Sequence, residues 1–303
     1  MAKILVNDGI EESGARILSE AGHELEMTKV PQEELAAELN KYDAIFVRSA
    51  TQVRKEHIDA APNLKLIGRG GVGLDNIDVD YAKSKGIEVV NTPAASSDSV
   101  AELALAHMFA LARHVAHANV TMRKGEWNKK KYNGFELAGK TLGVVGFGRI
   151  GQALARKAIA LGMRVVAFDV IDVKTDLPVT MKSLDAVLAE ADLVSLHVPN
   201  KKALTVDAEL LAKMKDGAYI INCARGGVVD EAALLDALNS GKLAGAGLDT
   251  FDNEPTPNGD LVNHPKVSVT PHIGAATGEA QERVGSELGT KVANFFAGKG
   301  AVL

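Results

Sequence analysis

The stretch KTLGVVGFGRIGQALARKAIALGMRVVAFD, residues Lys140–Asp169, decides how the chain is read. It opens with TLGVV, an uncharged, β-branched run of strand length. Gly146, Gly148 and Gly151 then punctuate the entry to a segment of helical periodicity. The first glycine permits a tight turn, the second lets backbone approach a pyrophosphate, and the third lets helix and strand pack closely. The N–H groups at the helix start, around Arg149 and Ile150, face such a diphosphate. A lone G-x-G-x-x-G is an ordinary turn pattern, but here a second strand, RVVAF, follows and ends in Asp169. That is close to the spacing of about 20 residues at which a carboxylate meets the adenosine ribose. A carboxylate there accepts from both ribose hydroxyls and repels a 2′-phosphate, and Val170 and Ile171 bring no arginine to receive one. The stretch reads as the first half of a dinucleotide-binding Rossmann domain that prefers NAD to NADP.

Such a half usually stands at the head of its domain, yet here it begins near the middle of the chain. The preceding residues explain why. KILVN, HELEM, AIFVRS, LKLIGRG and IEVVNT are short apolar strands, separated by helical segments such as IEESGARILSEAG. Strand–helix alternation of this kind builds a parallel sheet with helices on both faces. A long, mostly apolar helix follows from the Ser/Asp cluster after Pro93; a helix so apolar crosses between domains or forms a subunit interface. After Asp169 come DLVSLHV, AYIINCA, GAGLD and VSVTPH, completing six strands with the two already named. Only a helix and a short tail remain, and a lone last helix is most economically placed back on the first domain. The chain is therefore expected to be α/β, with two doubly wound parallel-sheet domains. Residues 1–95 with 275–303 form a discontinuous domain, into which a Rossmann domain, 96–274, is inserted.

Bulk properties narrow the function. The 303 residues suffice for two cores. A net charge of −5 without a basic tail disfavours nucleic acid. No apolar run approaches the length of a membrane span, and the N-terminus reads as a strand rather than a signal segment. The single cysteine, Cys223, excludes an internal disulfide and suits a reducing cytosol, and no Cys/His cluster has metal-ligand spacing. A cytoplasmic protein with no metal is expected.

Three later segments place polar residues at the C-terminal ends of strands, where open α/β sheets bind ligands. INCARGG supplies Arg225, GLDTFDNEP supplies Asp249 and Glu254, and VSVTPHIGA supplies His272. Oxidising an alcohol requires a base for the hydroxyl proton while hydride leaves carbon, and histidine titrates in the range for that work. A carboxylate bonded to the imidazole fixes its tautomer. An arginine holds a substrate carboxylate bidentately and polarises the neighbouring carbonyl. Taken singly each has a plainer reading: a surface ion pair, a turn carboxylate before Pro255, a strand-end histidine. His107, His114 and His117 on the long helix are read as structural, and Cys223 as a small buried residue.

The segments GFGRIG, NCARGGVVDEAAL, GLDTFDNEP and PHIGAAT resemble, in order and spacing, the D-isomer-specific 2-hydroxyacid dehydrogenases. The resemblance covers nearly the whole chain. It implies Arg225, Glu254 and His272 as the catalytic triad, Asp249 near the nicotinamide, and NAD as cofactor. It also implies a homodimer formed through the nucleotide domains, acting on a small 2-hydroxy or 2-keto acid. FVRSATQV, GRGGVGLDNIDVDYA, SVAEL and GEWNKKKYNGFELAGK look most like the branch of the family that oxidises 3-phospho-D-glycerate. That likeness implies Arg48 and Ser49 at the substrate phosphate or carboxylate, and backbone at Val72 and Gly73 at the carboxylate. It also implies that Lys129 reaches the neighbouring subunit's site, although a lysine run is equally a solvated face. Two features depart from the family: Ser96 stands where many relatives have Asn, and HVPNKKALTVDAELL is short and lacks a customary threonine. The rival expectations are a hydroxypyruvate or glyoxylate reductase, and a dinucleotide-sensing corepressor on the same fold.

Overall fold

The computed structural model describes residues 1–301. The chain divides into two compact units, one comprising Met1–Ser96 and Ala275–Leu303, the other Ser97–Gly274.

In the first unit five strands form one sheet: β1 (Lys3–Val6), β2 (Glu24–Glu26), β3 (Ala44–Val47), β4 (Leu66–Arg69) and β5 (Glu88–Asn91). All pairs are parallel and the order is β2-β1-β3-β4-β5, the flavodoxin-like arrangement. The middle strand β3 is apolar at every position, and its neighbours β1 and β4 depart from that only at a terminal Lys3 and Arg69, because helices cover both faces. Alternation then sorts their side chains, with Leu5, Ile45, Val47 and Ile67 in one core and Ile4, Val6, Phe46 and Leu66 in the other. The second core is closed by Leu288 and Val292 from the last helix, Gly278–Phe296. That helix meets the first helix, Glu12–Glu20, backbone to backbone. A Cβ at Gly14 would lie 2.4 Å from the Gly285 carbonyl oxygen, so only glycine permits the approach.

The second unit has seven strands rather than the six expected: β6 (Thr141–Val145), β7 (Arg164–Phe168), β8 (Val179–Met181), β9 (Leu193–Leu196), β10 (Ala218–Asn222), β11 (Leu243–Leu248) and β12 (Val267–Val269). The additional strand, β8, is three residues at the sheet edge, too short after Pro178 to show a period. The order is β12-β11-β10-β9-β6-β7-β8, all parallel. The connections diverge at β6, which pairs with β7 on one side and β9 on the other. A crevice at such a switch point is where open sheets bind nucleotides. One core packs Leu142, Val144, Leu193 and Ile221 beneath Val100, Ala104 and Met108 of the helix Ser97–Arg113. Burying each of those large side chains contributes about 1.5–3 kcal/mol.

The single long helix read from the sequence is two. Ser97–Arg113 ends at His114, whose φ of 54° breaks the hydrogen-bond ladder, and Val115–Arg123 continues beyond it. The first helix buries one face, including His107, whereas the second buries none of its residues.

Candidate active site

At the end of β6 the backbone turns through Gly146, whose φ is +92°. A Cβ there would lie 2.6 Å from the His197 carbonyl oxygen, so the turn is pressed against the residue that follows β9. Gly148 caps the helix Arg149–Ala160 without a side chain, and no atom lies within 4 Å of where its Cβ would be. Gly151 brings that helix onto the turn, since its Cβ would be 2.3 Å from the Gly146 oxygen. Asp169, just past β7, accepts a 2.7 Å hydrogen bond from the Phe147 N–H through one carboxylate oxygen and a 3.2 Å bond from the Ile171 N–H through the other. The carboxylate therefore stands beside the glycine turn. Open space over a helix N-terminus, with a carboxylate alongside, fits a diphosphate joined to a ribose. His197 is half-buried with its Nδ1 out of contact with solvent, and its Nε2 lies 3.0 Å from Ser195 Oγ. Burial pushes its pKa down to about 4.

The second group of polar residues gathers at the C-terminal ends of β10, β11 and β12, which are neighbours in the sheet. Asn222 ends β10 and ties the next turn, accepting from the Ala224 N–H and donating to the Arg225 carbonyl, both at 3.0 Å. Half-buried Arg225 donates from one guanidinium nitrogen to the Ala224 carbonyl at 2.7 Å. Its turn lies directly on the loop after β11, because a Cβ at Gly226 would fall 1.9 Å from the Phe251 oxygen. That loop carries Glu254. One Glu254 oxygen accepts from the Phe251 N–H at 3.0 Å, and the other lies 2.7 Å from His272 Nδ1. Glu254 is thus fixed by its own loop and, in turn, holds the imidazole.

His272 is one of two non-glycine residues among those described with positive φ, at 52°. Such backbone persists where surrounding bonds hold it, and it clusters at functional sites. Here the His272 N–H donates to the Asp249 carbonyl at 2.8 Å, and the Ile273 and Gly274 N–H groups donate to the Asp249 carboxylate at 2.8 and 2.9 Å. Asp249 is 1% exposed, so it serves the turn from beneath. His272 Nε2 is left as the nitrogen for other chemistry. A cavity of about 350 Å³ adjoins the pair, lined mainly by Phe251, Pro255, Pro257, Val262 and Val269. Burial raises the pKa of the Cys223 thiol, as suits an inert packing residue.

Within the first unit Arg48 follows β3, and its loop is clamped from two sides. Asp8 accepts from the Arg48 N–H at 2.7 Å, the Thr51 N–H at 3.0 Å and the Thr51 hydroxyl at 2.7 Å. Asn76 donates to the carbonyls of Arg48 and Thr51 at 2.7 and 2.6 Å. The half-buried guanidinium donates to Gln281 Oε1, with Glu11 at 3.8 Å. Asp8, Asn76 and Gln281 were not singled out in the sequence, because nothing local to them signals a contact with Arg48. Ser49 is exposed; Val72 and Gly73 lie in the loop after β4, where Asn91 donates to the Val72 carbonyl at 2.6 Å. Ser96 is buried at 2% exposure. Lys129 lies in an exposed helical turn, Lys129–Lys131, in the second unit. Among the described residues no group of three His, Cys, Asp or Glu could hold a metal, and no helix is long and apolar enough to cross a membrane.

Residues 105–274 match the family model for the NAD binding domain of the D-isomer specific 2-hydroxyacid dehydrogenases. The chain is 48% identical to a hydroxypyruvate reductase of Thermotoga maritima over 96% of its own length and 97% of that protein's. It is 42% identical to a D-3-phosphoglycerate dehydrogenase of Methanocaldococcus jannaschii, with 99% of this chain spanning 58% of that longer protein. Its fold superposes on D-lactate dehydrogenase of Aquifex aeolicus, solved with NAD and lactic acid, with a TM-score of 0.83 and 33% identity over 98% of this chain and 96% of that one. An NAD(P) cofactor follows from the matched domain. A glycine turn beside Asp169 and an Arg–Glu–His group on adjacent strand ends thus come with end-to-end similarity: the chain belongs to the D-isomer specific 2-hydroxyacid dehydrogenase family.

Proposed function

We propose that this protein interconverts 3-phospho-D-glycerate and 3-phosphohydroxypyruvate, with NAD preferred to NADP. His272 is the acid–base group. Glu254 accepts a hydrogen bond from the Nδ1–H group at 2.7 Å, which keeps that proton on Nδ1 and leaves Nε2 free to accept the substrate hydroxyl proton during oxidation and to return it during reduction. The same carboxylate steadies the imidazolium formed when Nε2 is protonated. Arg225 holds the substrate carboxylate, placing the carbon to be oxidised beside His272. Gly146, Gly148, Arg149, Ile150 and Gly151 would hold NAD, with Asp169 at its ribose, and the bound cofactor would supply the hydride acceptor. Asp249 secures the His272 turn at the nicotinamide end.

The choice of a phosphorylated substrate is carried by one observation. Arg48 is a half-buried guanidinium whose backbone is fixed by Asp8 and Asn76 and whose head is oriented by Gln281. A planar fork held this firmly is suited to a phosphate. Ser49, the backbone of Val72 and Gly73, and Lys129 of a second copy are further substrate contacts in this reading. The second reading, a hydroxypyruvate reductase, is favoured by the Thermotoga relative, which matches end to end. A panel of 3-phosphohydroxypyruvate, hydroxypyruvate and glyoxylate with NADH and NADPH decides. A higher kcat/KM on either unphosphorylated acid would overturn the first reading.

The active form is a cytoplasmic homodimer. Val115, Val120 and Met122 on the second half of the broken helix, and Trp127 beyond it, are 54%, 52%, 51% and 79% exposed, an apolar face suited to a second copy. Sedimentation at assay concentration should give about twice the chain mass; a monomer would refute it.

A further inference from the structure

His107 sits where a polar ring needs a reason. It is 2% exposed on the inward face of Ser97–Arg113. Glycine in β11 makes its room, since a Cβ at Gly247 would lie 2.7 Å from the His107 Cβ. Its Nδ1 lies 2.9 Å from Ser268 Oγ, and its Nε2 lies 3.0 Å from Thr270 Oγ1. Thr270 Oγ1 is in turn 2.7 Å from Asp249 Oδ1.

The direction of each bond follows from counting protons. A carboxylate only accepts, so the Thr270 hydroxyl gives its one hydrogen to Asp249. The Thr270 oxygen must then accept from His107, which places the imidazole proton on Nε2. Nδ1 is left as an acceptor for the Ser268 hydroxyl. The neutral ring satisfies every group, and burial, by lowering the His107 pKa against the opposing pull of Asp249, preserves it. The chain of donors ends on the carboxylate that also receives the Ile273 and Gly274 N–H groups and whose backbone carbonyl holds the His272 N–H.

We propose that His107 is a positioning residue for the reaction: through Thr270 and Asp249 it fixes the His272–Gly274 turn and so the aim of the His272 imidazole. The inference rests on His272 being the acid–base group. Without the His107 donor, the Thr270 hydroxyl keeps its hydrogen for Asp249 but loses the bond that fixes its own position, so the support it gives the Asp249 rotamer loosens. Small displacements of a catalytic group slow proton transfer far more than they weaken binding.

His107→Leu keeps bulk and removes both polar atoms, whereas His107→Gln can still donate to Thr270. His107→Leu should lower kcat about tenfold while KM and the NADH dissociation constant stay within about twofold. His107→Gln should recover most of that loss. Thr270→Val should match the leucine variant, and the double variant should be no slower than either single one, because both cut one chain. A purely structural histidine would instead lower the melting temperature and leave kcat alone. Wild-type turnover in His107→Leu, glutamine as slow as leucine, or losses that multiply would each overturn the proposal. If His107→Leu does not fold, Thr270→Val decides alone, with full turnover overturning it. His272→Asn is assayed alongside. Were it active, the acid–base reading would fall and this inference with it; if it is inactive while His107→Leu runs normally, only the positioning role falls.

Discussion

Two glycines of one turn should fail in opposite ways when each is changed to alanine. At Gly146, φ is +92°, and placing an L-residue in that region costs about 1–2 kcal/mol. The new Cβ would also stand 2.6 Å from the His197 oxygen, 2.7 Å from the His197 carbonyl carbon and 3.1 Å from the Val198 nitrogen. All three are backbone atoms in the interior, so nothing can rotate away, and overpacking adds about 1–3 kcal/mol. Together the two effects amount to about 2–5 kcal/mol, a fall in Tm of about 5–20 °C for a domain of this size. Gly148 has a negative φ of −74°, and its Cβ would meet no atom within 4 Å. The fold should accept Gly148→Ala with a stability change within about 1 kcal/mol. That Cβ would occupy the space over the helix N-terminus where the diphosphate is proposed to lie, so the NADH dissociation constant should rise at least about tenfold, or about 1.4 kcal/mol. Thermal melts followed by circular dichroism and titrations followed by NADH fluorescence read the two effects separately. Normal NADH binding by Gly148→Ala would remove the dinucleotide from this turn. A Gly148→Ala melt as depressed as that of Gly146→Ala would show the steric contrast itself to be wrong.

Other perturbations test the remaining parts of the site. His272→Asn should reduce kcat by about 10²–10⁴, the worth of a positioned acid–base group, while NADH still binds; near-normal turnover removes His272 from the chemistry. Asp169→Ala should weaken NAD and relieve repulsion of a 2′-phosphate, narrowing the ratio of kcat/KM for the two cofactors, and an unmoved ratio would mean that the carboxylate does not meet the ribose. Arg48→Ala should raise KM for 3-phosphohydroxypyruvate by about 10-fold or more and alter hydroxypyruvate much less; equal losses on both would place Arg48 at the common carboxylate. His197 gives a pH signature. Its folded pKa of about 4 lies below the 6.5 of a free imidazole, so the unfolded chain binds the extra proton first as pH falls. Its contribution to stability is complete above the unfolded value and is lost progressively down to about pH 4. His197→Gln should flatten that part of the stability profile measured by urea denaturation, and an unchanged slope would mean that the histidine is not held neutral.

The parts of this molecule that were legible in sequence are those whose cause is local. The five strands of the first sheet announce themselves because each buried central strand needs an apolar run, and the glycine turn because backbone atoms at His197 and Gly146 leave no room for a side chain. Strand β8 was not legible, since three edge residues carry no period, and neither was the helix break, which falls on His114 without a Gly or Pro to mark it. The site divides in the same way. Arg225, Glu254 and His272 stand in recognisable segments at strand ends, whereas Asp8, Asn76 and Gln281 bear on Arg48 from sequence separations of 40, 28 and 233 residues. His107 is the sharpest instance: on its helix it is one polar residue in an apolar face, and a structural reading is the natural one. Its significance arises only when β12 brings Ser268 and Thr270 to the two ring nitrogens and the carboxylate beyond them proves to hold the His272 turn. A buried histidine that merely fills space needs its nitrogens satisfied by any donor and acceptor. This one is satisfied by a chain in which every hydrogen has one direction, and such a chain transmits a change at either end to the other.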